Sequence, residues 1–543
     1  MNTKRIRMGQ WLSLVCACLF LVSCDQGTAP EDHLPKESVT VIKTNTKRIA
    51  MKLVADKITD FTFSDIFGSP STTEAHTSTD SLRIVLNNPS EAGIDLLGDL
   101  YFVVNSRKKV HDRDFGILYF QLSDTEKFST FLSQKLPQSY NWQPLEEKNN
   151  FRYGSLEGGR IMGWNENFGM LILPLSSEAN VNTEAFFIEL TSLNSENSIT
   201  QNPNYQIFED QSADLKIWMN ATEADFSRVN AKAGQAGIFL KSLESADYQH
   251  AYVNFEDGKT VINNQTYVDE KSRVDWEKLL KTESRSTVLN YFPENKISSF
   301  LNLKYNPKLI THLTEMFIQQ SISQNPASAL IFTGAGITPE RLAKMFKGDI
   351  LIASTGVMEI EQESITYEYD ENFNRIPKRT QEMVQVPELL ISMSADKKIE
   401  TMLDTYRLAG LLQQEGNAYA VSISGMQFYA RHHQNNLLIS NSLKAIQAME
   451  GNPSEHRLAN LASDYALSGY LNPIEVHQVL KGMTKATPSQ ALEQITIKEI
   501  LLHVKELKDE AVKSEIEILM QNEDENALVG LLKMLKTSSK NPS

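Results

Sequence analysis

The chain has 543 residues, 53 Lys and Arg against 68 Asp and Glu, and a net charge of −15. A surface this acidic repels nucleic acid and anionic head groups, so neither is expected to bind the protein face. The three cysteines, Cys16, Cys18 and Cys24, all fall in the opening segment. The remainder has no thiol for a disulfide, a Cys-ligated zinc, an iron–sulfur cluster or a cysteine nucleophile.

Lys4, Arg5 and Arg7 precede an apolar run over residues 11–22, which Leu21-Val22-Ser23-Cys24 closes. A membrane-spanning helix needs about 20 apolar residues, whereas a signal-peptide core needs roughly 7–15 after a basic start. Residues 1–23 therefore read as a signal peptide. The small residue before Cys24 resembles a bacterial lipobox, with Cys24 lipidated and leading the mature chain. Losing the three basic residues takes the charge from −15 to −18. The acyl chains, not the protein face, are expected to hold the membrane. Residues 24–38, with Pro30 and Pro35, read as a polar tether. Asp25 is followed by Gln26-Gly27-Thr28, and Glu31-Asp32 comes late. An outer-membrane lipid anchor is expected, on the periplasmic or the surface face, with the periplasmic one favoured.

Beyond the tether, residues 39–42 read as a strand and 46–57 as a helix with Ile49, Leu53 and Val54 on one face. A Ser/Thr loop over 69–81 leads to strands at 82–86 and 100–104, with a turn at Asn87-Asn88-Pro89 after the first. The strand 116–122 runs into Ser123-Asp124, either of which is placed to cap a helix bearing Phe128, Phe131 and Leu132. Residues 159–163 and 169–173 form a hairpin around Asn165-Glu166-Asn167.

The same order recurs downstream. Gly98-Asp99-Leu100-Tyr101-Phe102-Val103 has a counterpart in Gly348-Asp349-Ile350-Leu351-Ile352-Ala353. The strand 117–122, Ser123-Asp124 and the following helix match strand 389–393, Ser394-Ala395-Asp396 and a helix with Ile399 and Leu403. The hairpin 160–173 matches 427–439, whose turn is Gln434-Asn435-Asn436. The second set carries a charged insertion at 361–379. Strand 39–42 resembles 215–219, each followed by a helix, and a helix-and-strand stretch over 236–332 fills the front of the second set. This pattern predicts a tandem duplication.

Residues 452–483 read as helical, with a turn at Gly469-Tyr470-Leu471-Asn472-Pro473. Val512, Ser514, Ile516 and Ile518 alternate with Lys513, Glu515 and Glu517, the period of a half-buried antiparallel strand. That strand and 497–506 meet at Asp509-Glu510. An Asp524-led helix with Leu528, Leu531 and Leu532 completes a partial third copy at 493–536. The expected fold is α+β, built of tandem related modules of antiparallel sheet with helices packed on one face. The expected divisions are 1–23, 24–38, 39–200, 205–450 and 451–543.

Motifs for chemistry fit poorly. His432-His433 stand on a strand, where neighbours point to opposite faces and do not share a metal. Phe332-Thr333-Gly334-Ala335-Gly336 lacks the further glycine of a dinucleotide fingerprint and the Lys of a P-loop. Ser394 and Lys397 match half of a penicillin-binding serine motif without its partners. The pairs Asp112/Asp114, Glu359/Glu361/Glu363 and Glu515/Glu517 read as solvated strand faces. Residues 370–374 supply some oxygens for calcium but no EF-hand glycine. Trp142, Trp164, Trp218 and Trp276 read as core packing, although exposed Trp would suit a sugar platform.

The sequence resembles the large lipoproteins of Bacteroidota known only through a domain of unknown function. The resemblance rests on residues 35–42, Asn88-Pro89-Ser90-Glu91-Ala92-Gly93-Ile94-Asp95, Tyr101-Phe102, Asn254-Phe255-Glu256-Asp257-Gly258-Lys259, Lys347-Gly348-Asp349 and Asn526-Ala527-Leu528. It implies an envelope-anchored α+β protein and supplies no catalytic residues. The expected role is a non-enzymatic, lipid-anchored envelope protein without cofactor or metal, engaging a protein or an envelope polymer. The alternative is a glycan-binding or glycan-processing lipoprotein, with the carboxylates at 112–114 or 359–363 lining a cleft.

Overall fold

The computed structural model describes residues 29–36, 38–55, 91–95, 97–107, 113–136, 140–175, 182–220, 246–268, 270, 273, 287–304, 344–369, 375–423, 426–477, 496–508 and 510–540. The fold is mostly antiparallel sheet with a few helices, and the sheet is open. The chain divides into two compact units, one of residues 1–50 and 74–212, the other of 51–73 and 213–543.

The first unit begins with a short 3-10 turn, Pro30–His33, and β1 (Ser38–Thr44). The helix α1 (Thr46–Ala55) follows. The sheet continues with β2 (Leu100–Arg107), β3 (Arg113–Gln121), β4 (Gln143–Pro144), β5 (Arg152–Leu156), β6 (Arg160–Trp164) and β7 (Phe168–Pro174). Antiparallel ladders give the order β1-β2-β3-β7-β6-β5-β4.

Phe115, Ile117, Leu118, Tyr119 and Phe120 of β3 are all buried, as are Phe168, Met170, Leu171 and Ile172 of β7. A continuous apolar run of this kind belongs to strands covered on both faces. On one face, Phe120 and Trp164 pack edge-on against Phe128 of α2 (Thr125–Thr130). On the other, Phe115 stacks on Phe186 and Tyr153 on Phe187 of α3 (Thr183–Thr191). The expectation of helices on one face is therefore corrected: they cover both.

Local signals act as the sequence implies. Asp124, rather than Ser123, caps α2 by accepting the Lys127 N–H at 2.9 Å. Asn165 accepts the N–H groups of Asn167 and Phe168 and closes the β6–β7 hairpin. Residues 30–36 and 38, expected to be polar tether, are built into this unit. Leu34 is fully buried, His33 Nδ1 lies 3.1 Å from the Leu190 carbonyl, and Pro35 bridges Ser198.

The second unit contains β8 (Leu215–Asn220), β9 (Ala246–Glu256), β10 (Lys259–Val268), β11 (Ser299–Lys304), β12 (Phe346–Tyr369), β13 (Arg375–Ala395), β14 (Gln413–Glu415), β15 (Ala418–Ile423), β16 (Met426–His433), β17 (Asn436–Ser440), β18 (Leu467–Leu471), β19 (Ile497–Lys508) and β20 (Ala511–Met520). Its order is β8-β9-β10-β20-β19-β18-β11-β12-β13-β17-β16-β15-β14, antiparallel throughout. From β11 to β14 this repeats the order found from β1 to β4. The strand beside β12 is β11, so the expected match of 39–42 to 215–219 is corrected. Residues 215–219 lie at the far end of this sheet, beside β9.

Leu437-Leu438-Ile439 is again a continuous apolar run with two covered faces. Leu438 faces Ala445 and Ile446 of α6 (Leu443–Ala448) and Leu458 of α7 (Arg457–Asp464). Leu437 faces Ile399 and Leu403 of α5 (Lys398–Leu408), with Ile439 packed at that cluster's edge. Residues 467–471, expected within a helical stretch, form β18. Ser468, Gly469 and Tyr470 are buried between β11 and β19, so strand pairing overrides local helix signals. The last helix, α8 (Ala527–Lys540), is capped by Asn526, which accepts the Leu528 N–H and donates to the Phe255 carbonyl.

Two stability outcomes follow. A Cβ on Gly163 would overlap the Phe187 ring of α3. Gly163→Ala should destabilise the first unit by about 1–3 kcal/mol in chemical denaturation. In the second unit, burial pushes His250 down to about 4. Its neutral form therefore adds stability above pH 6.5 that is lost as the pH falls from 6.5 towards 4. His250→Gln should flatten that limb of a thermal-melt pH profile.

Candidate functional site

Two places gather polar chemistry. The first, in the first unit, is a lysine ringed by carboxylates. Lys43 Nζ, on β1, lies 2.9 Å from Glu209 Oε2, 3.2 Å from Glu31 Oε1 and 3.5 Å from Asp99 Oδ2. Each partner comes from a different element. Glu31 is in the Pro30–His33 turn, Asp99 just ahead of β2, and Glu209 ends α4 (Pro203–Glu209), which Asn202 caps and Pro203 opens. The ammonium also stands 4.9 Å over the Tyr101 ring, whose hydroxyl donates to Glu31.

Burial opposes the charge on Lys43, yet Glu31 and Glu209 outweigh it and hold its pKa above that of a free lysine. Burial, then Lys43, acts on Asp99, and its carboxyl ends above the ordinary range. Burial also pushes the phenols of Tyr101 and Tyr205 up, helped by Glu31 and Glu209 respectively. A lysine held protonated is a poor nucleophile and a poor base, so this cluster is a clamp. It ties the start of the fold to β1, β2 and α4.

The second place is in the second unit. Past Ser354 and Leu389 the strands β12 and β13 pair only with each other among the described residues, from Val357↔Pro387 to Tyr369↔Arg375. The expected charged insertion is thus a two-stranded arm, roughly 40 Å long at strand rise. Under its base lies a cleft of about 280 Å³ lined by Met358, Ile360, Glu361, Met426, Tyr429 and Leu443, with Gln427, Asn441 and Ser442. Some of this lining is committed. Asn441 accepts the Leu389 N–H and donates to the Pro387 carbonyl, and Ser442 caps α6. Glu359 and Glu361 are exposed, with no ion pair among the described residues.

The other sequence candidates disperse. His432 Nδ1 lies 2.9 Å from Glu400 Oε1, while the His433 ring faces Tyr291 edge-on, so the two imidazoles diverge. Among the described residues no group of three or more His, Cys, Asp or Glu is placed to hold a metal. Ser394 lies a long 3.5 Å from Asn436 and does not cap α5, whose N-cap position is Lys397; Asp396, just ahead of it, accepts the Lys398 N–H. Glu515 pairs with His503 and Lys505, and Glu517 with Lys259. Asp114 is half-buried on β3. Trp164 and Trp218 are core side chains, and Trp142 packs on Trp164. Cys24, Asp112, Trp276, residues 82–86, the motif at 332–336 and the loop 370–374 lie outside the described residues, as does the side chain of Glu363.

Sequence reading missed the Lys43 clamp, and of the cleft it named only the carboxylates at 359–363, of which Glu361 is a lining residue. Their members are scattered along the chain with no shared motif. Only the charged insertion at 361–379 signalled the arm.

The fold and these sites define an antiparallel α+β protein with an open sheet edge beside an apolar cleft. The chain belongs to the family described as Domain of unknown function (DUF4836), whose model matches residues 31–367. Of the resemblance noted from the sequence, this match bears out the domain of unknown function. No curated protein matches the chain. Among solved structures it is similar to "Structure of crystal form I of TP0453", at 10% identity and TM-score 0.28, covering 45% of this chain and 80% of that one. "Structure of crystal form IV of TP0453" matches at 9% identity and TM-score 0.29, covering 48% and 89%. Likeness at this level carries no argument about role.

The clamp has a testable cost. Lys43→Met leaves three carboxylates around an apolar side chain, and the first unit should lose about 2–3 kcal/mol, scaled down for partial exposure. The folded state keeps protons on Lys43, Tyr101 and Tyr205 that the unfolded chain releases near pH 10. Stability present below that pH should fall as it rises. Thermal melts followed through tyrosinate absorbance check this: wild type should ionise these phenols only on unfolding.

Proposed function

We propose that this is a lipid-anchored protein of the bacterial cell envelope with a non-catalytic binding role, like the Bacteroidota lipoproteins its sequence resembles. The observation that carries the reading is the basic start, the apolar run over 11–22 and Leu21-Val22-Ser23-Cys24. Cys24 would carry the lipid, in the outer membrane. The fold is engaged from Pro30 onwards, so the anchor lies at most about 20 Å of extended chain from the first unit. Such a short leash favours a body held near the bilayer.

The body is read as related modules. The strand order shared by β1–β7 and β11–β17 supports this, as does the matching placement of α2 with α5 and of α3 with α6 on opposite sheet faces. The binding role rests on the arm and its cleft, which combine unpaired strand edge, apolar lining and charge. The partner class is an envelope protein or polymer.

The anchor is tested by Cys24→Ala, which should abolish incorporation of labelled fatty acid and move the protein from the membrane to the soluble fraction. Unchanged membrane retention without lipid would overturn it.

A further inference from the structure

We propose that the outer edge of β12 in the arm is a docking edge for an extended peptide whose basic and apolar residues alternate. This rests on reading the protein as a binder, and it names the partner chemistry at the arm. The two edges of the arm differ in how open they are. Pro377 and Pro387 of β13 stand opposite Tyr367 and Val357. Proline has no N–H, so these positions are non-hydrogen-bonded pairs whose missing donors face outward. The β13 edge is therefore blunted at both ends, a common guard against strand addition. Asn441 covers the same strand at 387–389.

The β12 edge carries no such guard. From Val357 to Tyr369 its sequence contains no proline and no glycine. By the same register the odd residues Val357, Glu359, Glu361 and Tyr367 direct their N–H and C=O groups outward, and no described strand accepts them. Backbone groups in this state offer main-chain hydrogen bonds to an added strand.

The two faces of the arm then decide the side chains. An incoming residue opposite Glu359 or Glu361 shares their exposed face, where a Lys or Arg completes a cross-strand ion pair. An incoming residue opposite Met358 or Ile360 shares the other face, towards the cleft lined by Met426, Tyr429 and Leu443. Charged and apolar side chains thus alternate with the period of a strand, and Glu361 is also among the residues that line the cleft. The arm itself fits a second copy less well. The basic Arg375, Lys378 and Arg379 stand on its proline-blunted strand, and β12 against β12 sets glutamate against glutamate.

The probe is a capped, fluorescein-labelled peptide, Lys-Val-Lys-Val-Lys-Val-Lys, titrated with the purified full-length protein and read by anisotropy. Saturable binding is expected, with no binding of the block-ordered peptide Lys-Lys-Lys-Lys-Val-Val-Val. Glu359→Lys combined with Glu361→Lys should weaken binding at least about tenfold. The same double variant should gain affinity for Glu-Val-Glu-Val-Glu-Val-Glu, a swap that misfolding does not produce. Glu359→Pro, which removes an outward N–H but no ladder bond, should weaken binding more than Glu359→Gln. Equal binding of the block peptide, or full binding to Glu359→Pro, would overturn the docking edge. So would arm-dependent self-association in sedimentation that excludes the peptide. If the peptide is not bound and is recovered intact, the edge fails while the binding role stands. If mass spectrometry finds it cut, the binding role fails as well.

Discussion

Every strand must satisfy two edges, and that constraint shapes both units. Unpaired N–H and C=O groups are costly when buried and hazardous when exposed. The chain meets the demand by continuous antiparallel pairing, from β8 through β14 in the second unit and from β1 through β4 in the first. The helices follow from it. Once a sheet is extended, its central strands carry apolar side chains on both faces, and each face needs a cover. At β3 and β7 that cover is Phe128 on one side and the Phe186-Phe187 pair on the other; at β17 it is α6 and α5. The arm is the exception, since among the described residues its strands leave the sheet and keep only each other.

The two polar sites answer to different physics. Around Lys43, partial burial strengthens attraction among groups that are far apart in the chain, and one cation holds three carboxylates and the Tyr101 ring in a single arrangement. The result is rigidity at the point where the fold begins. At the arm, Glu359 and Glu361 remain in water, and among the described residues the outward backbone groups of β12 meet no strand.

Much of the local structure was legible. Asp124 and Asn165 act through hydrogen bonds reaching two or three residues along the chain, so their roles are fixed by neighbours. Gln434 and Asn435 both take positive φ, 45° and 65°, the geometry of a tight two-residue hairpin turn that the sequence placed correctly. The sequence placed β20 as a strand, but residues 513–519 are all partly buried rather than alternating between a buried and an exposed face. The misreadings have one cause. Residues 467–471 are a strand because β11 and β19 flank them, residues 30–36 and 38 are structured because Leu190 and Ser198 meet them, and the partner of β12 is β11 rather than β8. Each depends on contacts from distant parts of the chain.

The sequence by itself determined most of the order of strands and helices, the caps and turns, and the net charge. These rest on period, composition and bonds spanning a few residues, which a linear pattern carries. Tertiary structure alone decided that helices cover both sheet faces, that Lys43 meets Glu31, Asp99 and Glu209, and that a charged insertion is an arm over a cleft. Those features arise from pairing between segments tens to hundreds of residues apart. Which distant edges and faces meet is settled by closing all the ladders and burying all the apolar faces at once, and no local pattern records that outcome.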